Sequence, residues 1–183
     1  FYREMVENWR EAGIFPAFAA GNVDAGNPGG PGSVASPGNY PESFAVGATN
    51  NDDELAGFSL QGPSPYDEVK PEIAAPGVNI RSSVPGSGYD GTYSGTSMAT
   101  PIVTGTVALL RQADASLSVD ELENILIDTA KPLTDDNFPE TPNNGYGHGG
   151  GQAGNAVASV ISGLGKIEGQ VMKEGEDNEA PKY

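Results

Sequence analysis

Residues 97–112 constrain the fold more than any other part of the chain. They read Ser-Met-Ala-Thr-Pro-Ile-Val-Thr-Gly-Thr-Val-Ala-Leu-Leu-Arg-Gln, with Arg111 as the one charged side chain. A helix with so little charge has no face suited to water, so it is predicted to be buried on most sides. Pro101 falls within the first turn, where a missing N–H costs little. Gly95-Thr96 sets Ser97 at the helix start, beside free N–H groups and the positive end of the helix dipole. For an isolated Gly-Thr-Ser, that placement describes an N-cap serine. It also describes a position where negative charge developing on a neighbouring atom is favoured.

Other segments supply what could surround such a helix. Tyr2, Met5, Val6, Trp9 and Ala12 recur at helical spacing, which predicts an amphipathic helix already under way at Phe1. Residues 14–20 form a short apolar run ending at Gly21-Asn22, a buried strand with Pro16 near its beginning. Residues 24–41, rich in Gly, Pro, Ser and Asn, read as a long ordered loop. Residues 43–48 form a second buried strand, and the alternation of Val78, Ile80, Ser82 and Val84 gives a third. Ser118 and Glu121 form a capping box ahead of a surface helix with Leu122, Ile125 and Leu126 inward. Residues 156–161 are one more short helix. Strands alternating with helices predict an α/β fold with a parallel sheet. Residues 1–163 form one domain portion, and 164–183 are a linker or the start of a following domain.

Composition narrows the function. A net charge of −16 disfavours nucleic acid, which needs a basic face for its phosphates, and equally an anionic membrane surface. No apolar run is long enough to span a bilayer. The absence of Cys excludes a disulfide scaffold, a thiolate zinc site and a thiol nucleophile. His148 is the only histidine. A hydrolase with a histidine base therefore uses His148, or takes its base from outside this chain.

The heptapeptide Gly95-Thr96-Ser97-Met98-Ala99-Thr100-Pro101 resembles the nucleophile motif of the subtilisin-like serine peptidases. Ala19-Ala20-Gly21-Asn22 resembles the segment that carries their oxyanion-hole asparagine. Lys70-Pro71-Glu72-Ile73-Ala74-Ala75-Pro76-Gly77 is also similar to the family, and the resemblance covers roughly residues 1–163. It implies a three-layer parallel-sheet fold and a secreted serine endopeptidase acting on polypeptides. Ser97 matches the nucleophile, and Asn22 would donate its side-chain amide to the oxyanion. Ala19, Ala20 and Gly21 would line one wall of the substrate pocket, with residues 35–37 close by. Members place an Asp and then a His ahead of the Ser. The resemblance therefore implies that the base and its orienting acid lie upstream of Phe1, on the N-terminal half of the same catalytic domain. On this view the chain is the C-terminal half, inactive alone.

Two departures stand out. Ile102 occupies a helix position where the family has His after Pro. Gly150-Gly151-Gln152 replaces an aliphatic pair plus Asn, which predicts a loosely docked terminal segment. No cofactor is required for the chemistry. The resemblance allows structural calcium, yet Asp52-Asp53-Glu54 and Asp135-Asp136 read as solvated loops, and Asp24 and Asn27 form no defined ligand pattern. Two other assignments stay open. Ser97, Asp128 or Asp135, and His148 follow the chain order of an α/β-hydrolase esterase. Alternatively, the chain is a non-catalytic acidic interaction module, with Ser97 only a cap. His148 itself reads as a surface turn residue.

Overall fold

A computed structural model of the chain describes residues 2–163. The proposed linker, 164–183, lies outside the described residues, as does Phe1. The elements run α1 (Arg3–Glu11), β1 (Ala17–Ala19), β2 (Phe44–Thr49), β3 (Ile73–Pro76), β4 (Ile80–Ser83), β5 (Tyr89–Tyr93), α2 (Thr96–Ala113), α3 (Val119–Asp128) and α4 (Ala153–Gly163). Strands β1, β2 and β3 form a parallel sheet in that order, while β4 and β5 form a separate antiparallel pair.

β2 shows why both faces of the sheet are covered. All six of its residues are buried, which a continuous apolar run permits and an alternating one would not. Phe44, Val46 and Ala48 point to one face and join Ile73, Ala75, Ala99, Val103, Val107, Leu110, Leu122 and Leu126 in the main core. Ala45 points the other way, into a small cluster with Ala20 and Val34. On β3, Ala74 likewise meets Leu133 and Tyr146. Helix α2 lies across all three strands, and α4 packs on α2.

The third strand of the sheet is β3, not the alternating segment that the sequence suggests. β3 is four residues long, contains two alanines, ends on Pro76 and follows Pro71 closely, so it lacks a strand signature. The alternation at 78–84 instead belongs to the exposed β4–β5 hairpin. β1 is half-buried, and among the described residues it pairs with β2 on one side alone. In α1 only Val6 is buried; Met5 and Tyr2 face solvent and Trp9 stacks on Phe18.

α2 differs from expectation in two ways. Its buried residues, Thr96, Ala99, Val103, Thr106, Val107 and Leu110, form one stripe, while Pro101, Ile102, Gly105, Ala108 and Leu109 are exposed. The helix also begins at Thr96, so Pro101 lies in its second turn and has no N–H to return to the Ser97 carbonyl.

The terminal segment is held more firmly than its small side chains suggest. Lys131 and Gly150 exchange two backbone hydrogen bonds, and the Gly151 N–H donates to the Ala74 carbonyl at 2.9 Å. Backbone pairing therefore replaces the missing aliphatic contacts. Near the start of β3, the buried Lys70 ammonium meets the Glu72 carboxylate and donates to the Ser43 carbonyl at 2.6 Å. Burial pushes the Glu72 carboxyl up to about 7, against the pull of Lys70.

The capping box at α3 is complete: Ser118 Oγ accepts from the Glu121 N–H, and Glu121 Oε2 accepts from the Ser118 N–H. Ser118→Ala is expected to cost about 1 kcal/mol, read as a lower urea midpoint with an unchanged slope.

Candidate active site

The loop after β1 and the start of α2 meet at Thr96. Its side chain is fully buried, and its hydroxyl accepts from the Gly21 N–H at 3.2 Å. The same hydroxyl donates to Asn22 Oδ1 at 3.0 Å, and the Thr96 N–H donates to that oxygen at 3.0 Å. Two donors on one oxygen fix which end of the Asn22 amide is carbonyl. The amide nitrogen, Nδ2, is left without a protein acceptor among the described residues.

Gly95 shows where that nitrogen faces. A Cβ on Gly95 would lie 3.4 Å from Asn22 Nδ2 and 3.7 Å from the Ser97 nitrogen. Both nitrogens therefore border one small space, and the absence of a side chain at residue 95 keeps it open. The Ser97 N–H belongs to the first turn of α2, where no intrahelical carbonyl is available to it. Gly95 is tied back to the sheet through its N–H, 2.8 Å from the Gly77 carbonyl just after β3.

Ser97 is exposed, and among the described residues no side chain hydrogen-bonds its hydroxyl. It opens on a cleft of about 460 Å³ lined by β4 and the turn after it, by Tyr93, and by Met98, Pro101 and Ile102. Ala19, Ala20 and Gly21 do not line this cleft. Ala20 is fully buried against Val34 and Ala45, so only its backbone can meet a ligand. The Ala35 N–H donates to the Ala20 carbonyl at 2.9 Å, which brings residues 35–37 beside this segment.

His148 is half-buried, and its backbone N–H donates to the Glu72 carbonyl at 2.8 Å, beside the start of β3. Gly95 is bound to Gly77, past the other end of that strand. Five residues of extended chain separate the two anchors, roughly 16 Å. An imidazole must come within about 3 Å of a serine hydroxyl to take its proton, and this placement does not bring His148 there. Burial holds the His148 pKa below its ordinary value, with Asp128 opposing.

No group of three or more His, Cys, Asp or Glu residues stands ready for a metal among the described residues. In the Gly-rich loop, Asp24 Oδ1 accepts from the Gly26 and Asn27 N–H groups, and Asn27 Oδ1 from that of Gly29. Asp53 pairs with Lys131 and Asp135 accepts from the Tyr146 hydroxyl. No described helix is long and apolar enough to cross a membrane.

The sequence singled out Asn22 and Ser97, which the fold brings together, but not the role of Thr96 between them. The cleft-lining Arg81 and Tyr93 were also missed. They sit in a hairpin whose polar, Gly-rich sequence carries no catalytic signature.

Comparison with known proteins agrees with the motifs. The subtilase family model, peptidase S8, matches residues 1–149. Bacillopeptidase F of Bacillus subtilis is 65% identical over all 183 residues, although the chain spans only 13% of that protein. Subtilisin Savinase of Lederbergia lenta is 37% identical over 135 residues, which are 74% of this chain and 45% of the relative. The solved structure of the prenylagaramide maturation protease PagA superposes with a TM-score of 0.69 at 25% identity. That match covers 86% of this chain and 54% of PagA. By motif, fold and relatives, the chain belongs to the subtilase (peptidase S8) family of serine peptidases.

Proposed function

We propose that this chain carries the nucleophile and the oxyanion donors of a serine endopeptidase that acts on polypeptides outside the cell. The observation that carries the proposal is the Thr96-locked amide of Asn22. Its free nitrogen and the Ser97 N–H border one space beside an exposed serine hydroxyl.

The chemistry follows from that arrangement. Ser97 Oγ attacks the scissile carbonyl as its proton passes to a histidine base. The carbonyl oxygen becomes an oxyanion and takes hydrogen bonds from Asn22 Nδ2 and the Ser97 N–H. Collapse expels the amine and leaves an acyl-enzyme on Ser97, which water hydrolyses. Because Thr96 holds the amide in place before substrate arrives, little reorganisation is needed as charge develops. Ala19, Ala20 and Gly21 form one wall of the acyl-side pocket, the latter two chiefly through backbone, and small residues there suit broad specificity.

We assign the base and its orienting acid to an upstream segment, the N-terminal half of the same catalytic domain. The exposed apolar face of α2 outside the hairpin cleft, with Leu109 at 49% exposure, is the surface that such a segment would cover. The relatives are consistent with this, since the chain corresponds to about half of Savinase and of the PagA chain. A structural calcium ion is given no ligand here.

The test is Asn22→Ala in the full-length protein. Turnover is expected to fall about 10²–10³-fold with KM little changed, a magnitude established on a subtilisin, itself a subtilase. A loss confined to KM would remove Asn22 from the oxyanion site.

A further inference from the structure

Six Lys and Arg side chains lie within the described residues, and five of them have their charge met. Arg3 pairs with Glu42, Arg10 with Asp120 and Glu123, Lys70 with Glu72, and Lys131 with Asp53. Arg111 spends its guanidinium on the carbonyls of Gly13, Ala115 and Leu117. Arg81 meets neither a carboxylate nor a carbonyl among the described residues. Its guanidinium lies over the Tyr89 ring, 5.4 Å from the centroid.

The hairpin explains why this charge stays free. Strand alternation puts Tyr89 and Gly91 on the Arg81 face, and the arginine stem passes Gly91, where a Cβ would stand 3.6 Å from its own. Asp90, the hairpin's acid, pairs in register with Ser82 and so faces the other way. Its carboxylate accepts from the Thr92 N–H and hydroxyl at 2.8 and 2.7 Å. Arg81 thus lines the same 460 Å³ cleft as Ser97 with a charge that is unpaired among the described residues, in a chain of net charge −16.

We propose that Arg81 selects polypeptides carrying Asp or Glu just beyond the scissile bond, on the leaving-group side. This rests on the assignment of Ser97 as nucleophile. The acyl-side wall belongs to Ala19, Ala20 and Gly21, none of which lines this cleft, so the hairpin cleft receives the departing half of the substrate. The Arg81 fork offers several N–H donors to a carboxylate, and stacking on Tyr89 holds its plane. Arg81 is solvent-exposed, so the gain is modest and sensitive to salt.

The experiment uses the full-length protein and matched fluorogenic peptides that differ only in Glu, Gln or Lys at each of the first three leaving-group-side positions. At one position, kcat/KM for Glu is expected to exceed that for Gln about fivefold at low salt, with the ratio shrinking toward one near ~1 M salt. Arg81→Lys should keep only a small part of the preference, Arg81→Gln should remove it, and Arg81→Glu should reverse it toward Lys. Labelling of each variant by a serine-directed phosphonate controls for an intact site. Equal cleavage of Glu and Gln peptides by the wild type, or a preference that survives Arg81→Gln, overturns the role of Arg81 alone. Peptide cleavage that survives Ser97→Ala overturns the nucleophile assignment beneath it.

Discussion

Ser97→Ala in the full-length protein is expected to abolish casein hydrolysis, with a loss in turnover of about 10⁶-fold. That magnitude comes from subtilisin, a member of the same family. The adjoining hydroxyl, that of Thr96, cannot substitute, because it is bound on both sides, to Gly21 and Asn22. Binding should be largely retained, since the oxyanion donors and the hairpin are untouched. His148→Ala is the companion control and should leave turnover within about twofold, because the His148 backbone is anchored to the Glu72 carbonyl, at the far end of β3 from Ser97. The isolated chain should not turn casein over. A catalytic loss from His148→Ala comparable to that from Ser97→Ala would instead support an esterase-type triad within this chain.

The largest expected effect on stability comes from Gly149→Ala. Gly149 is buried with φ at +129°, and a Cβ there would lie 2.0 Å from the Lys131 carbonyl oxygen and 2.6 Å from its carbon. Both are backbone atoms of the strand-like exchange between Lys131 and Gly150, so no side chain can rotate aside. Relief requires breaking that exchange and displacing the turn that closes over β3. Overlap and backbone strain together are expected to cost about 4 kcal/mol. For a domain of this size, the inactivation temperature of the full-length protein would fall by roughly 10 °C. Gly154→Ala is the matched control, since a Cβ there meets nothing within 4 Å on an exposed helical turn. It should leave that temperature unchanged or slightly raised.

The parts legible in the sequence were those that one local rule decides. Residues 43–48 are apolar apart from Ser43, and Phe44–Thr49 forms a strand buried on both faces. Ser118 and Glu121 stand at capping-box spacing and form one. Ser97 and Asn22 sit in motifs whose spacing is specific, and the fold brings their nitrogens to one space. What was not legible depends on partners distant in sequence. The four residues of β3 owe their strand conformation to β2 and to residues 147–150, because Ala-Ala between prolines has little strand preference of its own. The alternation at 78–84 was misleading, because a hairpin with both faces largely exposed carries the same period as a core-facing strand. Thr96 reads as an ordinary motif residue until the fold places Asn22 against it. The open stripe on α2 was equally hidden, since charge-poor composition predicts burial without saying which segment provides it.

Ser97 is proposed as the nucleophile of a peptidase whose base comes from another segment. The most direct measurement is mass-spectrometric localisation of a phosphonate adduct, made in parallel on the full-length protein and on the isolated 183-residue chain. A single stoichiometric adduct on Ser97 in the full-length protein, and none on the isolated chain, is the predicted result. An adduct on any other residue, or stoichiometric labelling of Ser97 in the isolated chain that disappears with His148→Ala, would contradict it.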